Sequence, residues 1–332
     1  MTKSAEDNLD YESLARGALP LYGLTADSNV TLINYSENLT YRIDEPNGSR
    51  SVLRVHRLGY QTRESILSEI AWMTALRHEA SILTPQAIVG INGDFLQTVS
   101  APSLSERYCV RFEWIDGEVP RESDALDELL VPFEQLGEVN ARLHQHARGW
   151  PRPSKFVRQS WDFDGTIGKQ PIWGTFRACP TLTGDDIKLL NRTVDVLSRR
   201  LAAFGQSSER YGLIHADVRL ANLMFHKGNI RVIDFDDCGF CWFAYDFAAA
   251  ISFHELDPSI PLLQKSWVAG YRSVARFTEE DENEIPTFII LRRILLTAWL
   301  ATHSETPTGQ ELGPTYTDGT VVLAQKYLAQ YG

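Results

Sequence analysis

The sequence predicts an α+β fold in two parts: a small antiparallel sheet carrying one helix, then a larger and mainly helical part. Three observations predict it. Strand-like alternation crowds into the first 115 residues and is broken by one amphipathic helix, near 63–77. Helical spacing dominates from about residue 129 onward. Among the later helices lies one short hairpin, within residues 212–237, that carries histidine, asparagine and aspartate at close spacing. The expected boundary runs 1–115 and 116–332, and no internal repeat or Pro/Ser-rich linker separates the two. A chain of 332 residues is long enough to bury such a core.

The elements follow in order. Residues 1–10 are polar and are expected to be disordered. Residues 11–19 read as a short helix stopped by Pro20. Residues 30–34 and 40–43 read as strands, joined by a turn of small polar residues without glycine. Pro46-Asn47-Gly48 makes the next turn, and 52–56 is a third strand. On it, period-2 alternation puts Val52 and Arg54 on one face, Leu53 and Val55 on the other. Thr62 can cap the helix that follows, in which Glu69 shares a face with Ile66, Met73 and Leu76. Burying a lone carboxylate is costly, so Glu69 either sits at the edge of that stripe or takes a cation. Arg54 is the cation at hand, because no lysine occurs between Lys3 and Lys155. Residues 87–92, 95–99 and 108–114 read as further strands. Helices are expected near 129–146, 184–204, 246–254, 260–276, 286–303 and 317–330, with a loop at 305–318 before the last. His144 reads as a packed structural histidine, and the Trp-, Pro- and Gly-rich stretch 149–180 as irregular.

The hairpin carries the chemistry. The apolar pair Leu213-Ile214 leads into His215-Ala216-Asp217, with Asn222 five residues on. A second apolar run, 230–233, ends in Asp234. Lys227-Gly228-Asn229 contains the two residue types that best tolerate φ > 0. A hairpin centred on Gly228 pairs Phe225 with Arg231 and Leu223 with Ile233. One step further, it sets Asn222 opposite Asp234. Facing Cβ atoms lie about 5 Å apart. An amide oxygen and a carboxylate at that separation can share a hard cation such as Mg²⁺. Asp217 precedes the hairpin on an irregular loop, placed to act as a base.

These residues spell H-x-D-x-x-x-x-N, His215 through Asn222, then Asp234-Phe235-Asp236 after an apolar strand. The pattern resembles the kinase catalytic loop and its metal-binding aspartate. Ala216 in the place of arginine is similar to the aminoglycoside phosphotransferase and choline kinase-like branch of the protein-kinase-like superfamily. That branch also includes type II homoserine kinases, hydroxylysine kinases and bacterial stress-response kinases. The resemblance covers essentially the whole chain from about residue 15, and 212–246 carry it most specifically.

The resemblance implies a bilobal, protein-kinase-like fold that moves the γ-phosphoryl group of ATP to a hydroxyl, with Mg²⁺ as cofactor. Asp217 would orient and deprotonate the hydroxyl. Arg219 would neutralise the transferring group, or else pair with a nearby acid. Asn222 and Asp234 would hold the metal. Ser36 and Asn38 lie where a kinase carries its Gly-rich phosphate loop; the missing glycines are a departure, although a polar turn can still offer N–H groups to phosphate. Arg54, held by Glu69, would grip the α/β-phosphates from the strand where kinases have V-A-I-K. Arginine for lysine is a second departure and changes the geometry of that grip. Glu113 and Ile115 bound the segment where such folds cross between lobes, and would offer main-chain groups to adenine. Asp246, in a Y-D-[LF] setting, would brace the catalytic loop through its N–H groups.

Composition narrows the partners. Hydrophobic content of 43% and charged content of 23% are those of a soluble globular protein. No apolar run approaches the roughly 20 residues of a membrane span, and the polar, acidic N-terminus is unlike a signal peptide, so no membrane partner is expected. The four cysteines suggest no disulfide framework and fit a cytoplasmic setting; the C-x-x-C of Cys238 and Cys241 lacks two further ligands for zinc. A net charge of −11 argues against nucleic acid and suits a cationic acceptor. The expected acceptor is a small-molecule hydroxyl: an amino alcohol, amino sugar or hydroxy-amino acid. Asp236, Asp237, Glu255, Asp257, Glu305 and Glu311 suit an amine, and the Trp-rich stretch suits a pocket wall. The short run from Asp237 to Asp246 leaves no room for a long activation loop. Other readings stay open: a stress-response Ser/Thr protein kinase, or a non-catalytic nucleotide binder, which the lost lysine and glycines suit. A metal-dependent phosphohydrolase built on 234–237 leaves His215 and Glu69 unexplained. The residues do not fix an oligomeric state.

Overall fold

The computed structural model describes residues 11–332 apart from 37, 103, 120–125 and 305. The stretch 1–10 and Glu305 therefore lie outside the described residues. The chain divides into two compact units, one within Met1–Ala75, Pro85–Asp116 and Arg152–Val157, the other formed by Leu76–Thr84, Gly117–Pro151 and Arg158–Gly332.

The first unit is a sheet with helices. α1 (Tyr11–Ala18) runs into a 3₁₀ turn at Leu19–Tyr22 that holds Pro20 where its missing N–H costs nothing. β1 (Asn29–Tyr35), β2 (Asn38–Asp44) and β3 (Arg50–His56) follow, then α2 (Arg63–Glu79), β4 (Ala87–Ile88), β5 (Leu96–Ala101) and β6 (Leu104–Glu113). The pairing is antiparallel throughout, in the order β1-β2-β3-β6-β4, with β5 also on β6. Alternation sorts the faces as expected. Leu39, Tyr41, Ile43, Leu53, Val55 and Cys109 bury against Leu14, Ala15 and Ala18 of α1. Arg54 takes the other face. Thr62 caps α2, accepting the Ser65 N–H at 3.2 Å.

The second unit is mainly helical. Its helices are α3 (Leu130–Gly149), the single turn α4 (Phe163–Thr166), α5 (Gly184–Phe204), α6 (Tyr245–Ala250), α7 (Ile260–Val274), α8 (Glu279–Thr302) and α9 (Pro307–Tyr331). Two short ribbons, β7 (Tyr211–Ile214) with β10 (Gly239–Trp242) and β8 (Leu223–His226) with β9 (Asn229–Val232), complete it. α5 matches its expected span because Thr183 and Asp186 form a reciprocal cap. α3 and α7 pack tightly: a Cβ on Gly137 would strike the Trp267 carbonyl, and one on Gly270 the Glu134 carbonyl. All four cysteines are free and buried.

Several elements correct the expected spans. α8 begins at Glu279, not 286, because Thr278 and Asp281 cap it a full two turns before Pro286. It is also the one described helix long and apolar enough, by length and composition, to cross a membrane, and its most apolar stretch is 83% buried inside the protein. α9 begins at Pro307, so most of the expected loop 305–318 is helix. Thr306 caps it, accepting the Gly309 N–H, and Pro307 stands where a first-turn proline is tolerated. Buried Tyr316, Thr317 and Thr320 show that packing overrides the glycines and threonines there. α6 stops at Ala250, short of 254, and Phe253 follows with φ 73.

The β8–β9 hairpin is one residue out of the expected register. Leu223 faces Val232, Phe225 faces Ile230, and His226 faces Asn229. The turn therefore has two residues, Lys227 (φ 51) and Gly228 (φ 77), both left-handed, as a type I′ turn requires. Asn229 belongs to the strand. The Ile233 N–H meets the Asn222 carbonyl at 3.0 Å, so Asn222 stands opposite Ile233 rather than Asp234.

Candidate active site

The loop after β7 is held by a buried carboxylate. Asp246, in the first turn of α6, is fully buried. Its Oδ1 accepts the Ala216 N–H at 2.8 Å; its Oδ2 accepts from the His215 N–H at 3.4 Å, His144 Nε2 at 3.0 Å and Asn140 Nδ2 at 3.2 Å. His144 Nδ1 then accepts from the Tyr271 hydroxyl at 3.0 Å, and Asn140 Oδ1 from Trp267 Nε1 at 2.9 Å. Every donor around Asp246 is therefore aimed inward, and the loop is shaped as the resemblance implies. Between these grips Ala216 sits at φ 68, a conformation non-glycine residues rarely adopt.

His215 locks the loop to the hairpin. Its Nδ1 accepts the Asp217 N–H at 3.2 Å, so the proton is on Nε2, which donates to the Ile233 carbonyl at 3.1 Å. Its ring packs on Phe235 with centroids 4.4 Å apart. Burial pushes its pKa down, against the opposing pull of Asp246, Asp217 and Asp234. His215 is thus a neutral strut.

Asp217 is held at both oxygens. Oδ1 accepts from Arg292 Nη2 at 2.5 Å. Oδ2 accepts from Asn222 Nδ2 at 2.8 Å and lies 3.4 Å from Arg219 Nε. Arg219 therefore makes the ion pair that was its alternative reading. Arg292 comes from α8 and is 2% exposed. Burial pushes its pKa down, but Tyr245 and Asp217 outweigh that and raise it above the usual arginine value. No sequence expectation included Arg292. The signal was there: two adjacent arginines inside an otherwise apolar helix demand buried partners.

The donor set suits a hard cation. The Asn222 amide spends its N–H groups on the Asp217 carbonyl and carboxylate, both at 2.8 Å, so Oδ1 is the atom with which it could coordinate a cation. Asp234 follows β9 at φ 63. Among the described residues no group of three or more His, Cys, Asp or Glu is set to hold a metal.

The first unit carries the remaining candidates. Arg54 Nη1 meets Glu69 Oε1 at 2.7 Å, both side chains buried, with the guanidinium over Phe112 at 5.1 Å. Asn38 is buried too, and its Oδ1 accepts the Arg57 N–H at 3.1 Å, which fastens the turn to the end of β3. The Ser36 N–H donates to the Asn38 carbonyl at 3.2 Å. Glu113 gives its N–H to the Gln86 carbonyl at 2.9 Å, so that N–H is already engaged; Ile115 lies just beyond β6.

The acidic turn after β9 is anchored by its backbone. Arg158 donates to the carbonyls of Asp236 and Cys238, and Trp161 Nε1 to that of Asp237 at 2.7 Å. Trp161 and Trp173 pack with ring centroids 4.9 Å apart, and Arg292 lies 5.2 Å over Trp173. The Trp-rich stretch thus packs beside the Asp217 partners. Of the acids expected to suit an amine, Glu255 is already committed, to Arg293 at 2.5 Å and to the Tyr316 hydroxyl at 3.1 Å.

Comparison with known proteins gives a consistent picture. A family model described as "Phosphotransferase enzyme family" matches residues 31–277. Amicoumacin kinase of Bacillus subtilis (strain 168) is 26% identical over 308 residues, covering 86% of this chain and 83% of that one. The solved structure of a microcompartment-associated aminopropanol kinase is 39% identical, with a TM-score of 0.88 over 97% of this chain and 98% of that chain. An amicoumacin kinase in complex with AMP-PNP, Ca²⁺ and Ami has a TM-score of 0.77 at 21% identity, over 97% and 96%, a likeness of fold.

Proposed function

The chain belongs to the phosphotransferase enzyme family, and on that premise we propose that it moves the γ-phosphoryl group of ATP to the hydroxyl of a small amino alcohol. The observation that carries this is the Asp217 carboxylate, fixed at Oδ1 by Arg292 and flanked at Oδ2 by Asn222 and Arg219. The acceptor O–H gives its proton to Oδ2 as the new O–P bond forms. The β,γ-bridging O–P bond breaks, and its electron pair leaves on ADP. Catalysis of this kind is mostly positioning and charge neutralisation. Asn222 Oδ1 and the Asp234 carboxylate would hold Mg²⁺, which when bound offsets phosphate charge. Arg54, kept in place by Glu69, grips the α/β-phosphates, with main-chain groups of Ser36, Asn38, Glu113 and Ile115 as further nucleotide contacts. Residues 1–115 then hold the nucleotide, and 116–332 carry catalysis and acceptor binding.

An amine-bearing acceptor is supported by the net charge of −11, by Asp236 and Asp237 beside the Asp217 loop, and by the relative named an aminopropanol kinase. We assign the enzyme to the cytoplasm, with neither nucleic acid nor membrane as partner. The test is a panel of amino alcohols, amino sugars and hydroxy-amino acids with ATP, with and without Mg²⁺. Turnover should appear with an amino alcohol. Asp217→Ala should abolish it while keeping nucleotide affinity, and Asp234→Ala should remove the metal-dependent part of that affinity. Phosphorylation of a generic protein with no amine turned over, or equal loss of nucleotide binding in both variants, would count against this assignment.

A further inference from the structure

We propose that Arg292 is a positioning residue for the transfer: it commits Asp217 Oδ1 and so dedicates Oδ2 to the acceptor hydroxyl. The inference rests on the reading of Asp217 as the group that receives the acceptor proton. An unheld carboxylate turns about its terminal bond and exchanges its two oxygens. Arg292 removes that freedom. Its Nη2 meets Oδ1 at 2.5 Å, its Nη1 reaches the Ala216 carbonyl at 3.3 Å and the Tyr245 hydroxyl at 3.2 Å, and its Nε reaches Ser252 Oγ at 3.1 Å. The planar fork is thus pinned on four oxygens from four residues, inside a helix that is itself buried. The Ala216 peptide is gripped from both ends, its N–H by Asp246 and its carbonyl by Arg292.

At Oδ2 the partners are of unequal strength. Asn222 is buried and bonds at 2.8 Å, whereas Arg219 is partly exposed and sits 3.4 Å away. Arg219 is therefore the group an acceptor hydroxyl displaces. The hydroxyl proton then passes to Oδ2, Oδ1 stays on Arg292, and the O–P bond forms as the bond to ADP breaks. Lysine cannot take the place of Arg292, because a point ammonium lacks the fork that reaches several oxygens at once.

The test compares Arg292→Gln, Arg292→Lys, Arg292→Ala and Asp217→Asn in the full chain. The readouts are acceptor phosphorylation, ATP hydrolysis by water, ATP affinity and melting temperature. Misplacing a reacting group by an ångström costs on the order of 10²-fold. Arg292→Gln should lower kcat for transfer by about that factor, with ATP affinity unchanged and hydrolysis less affected, so the ratio of transfer to hydrolysis falls. Arg292→Lys, which keeps a charge in the core should the glutamine variant fail to fold, should stay at least about tenfold below the parent. Free guanidinium should restore part of the transfer in Arg292→Ala and none in Asp217→Asn. A folded Arg292→Lys enzyme with parental kcat would overturn the proposal. So would transfer and hydrolysis falling together in Arg292→Gln without guanidinium rescue of Arg292→Ala. Full transfer by Asp217→Asn would instead remove the reading of Asp217, and this inference with it.

Discussion

The Asp246 carboxylate holds the Ala216 N–H at 2.8 Å, and this bond keeps a non-glycine residue at φ 68. A left-handed L-residue costs roughly 1–2 kcal/mol, and such strain persists where surrounding contacts over-determine it. Here they do, and the residue so held is the one before Asp217. The Asp246→Asn variant should therefore lose twice. An amide turns an N–H group toward donors that need an acceptor, at about 1–3 kcal/mol for each group left unsatisfied. Urea unfolding should report that loss, and transfer should fall by more than the folded fraction explains. A variant of parental stability and activity would show that the brace is dispensable.

Arg54 and Glu69 should behave as one unit in nucleotide binding. They meet at 2.7 Å with both side chains buried. Removing either alone takes from the other a buried partner of opposite charge, so single variants should each cost several-fold or more in ATP affinity. A double-mutant cycle should return a coupling energy of about 0.5–3 kcal/mol. Strict additivity in calorimetric titrations would separate the ion pair from nucleotide binding.

Two buried histidines set an acid limit on stability. Burial pushes the pKa of both His144 and His215 below the usual 6.5, against the opposing pull of Asp246. The unfolded chain takes up protons as pH falls through about 6.5, and the folded chain does not. Their contribution is therefore fully present above that pH and is lost as pH falls toward the folded values. The slope should be up to about 1.4 kcal/mol per pH unit for each histidine. Unfolding free energies from about pH 7.5 to about pH 5 should show it. His144→Gln should flatten the curve, and an unchanged slope would exclude this residue as a cause.

Lys227 is a poor residue for its place. At φ 51 it occupies the first position of a two-residue hairpin turn that favours asparagine. Lys227→Asn should stabilise the chain by on the order of 1 kcal/mol, read from the urea midpoint. No gain, or a loss, would mean that the lysine side chain contributes more than its backbone strain removes.

Much of this was legible in the sequence. Period-2 alternation on β3 placed Arg54 on the face away from Leu53 and Val55, and the apolar stripe of α2 pointed Glu69 at a cation; the pair is there at 2.7 Å. The hairpin was visible too, but its register turned on whether the loop had two or three residues. Local propensity favoured putting Asn229 in the turn, and the strand ladder took it instead. Pro286 and the Gly/Pro/Thr-rich run before α9 argued for loops because their cost is local, while the packing of α8 and α9 that offsets it is long-range. Arg292 was missed for a related reason. Its partner lies 75 residues away in the chain, and no spacing rule reaches that far.

The neighbouring arginine completes a constraint on what can be altered. Arg292 and Arg293 are consecutive on α8, so they point about 100° apart around its axis. One reaches Asp217; the other reaches Glu255, the Tyr316 carbonyl and Thr320 of α9. The helix is keyed at two angles, like a shaft with two teeth. A slip of one residue or a turn about its axis would disengage both. For anyone altering this chain by randomised libraries, the middle of α8 is the stretch to leave as it stands.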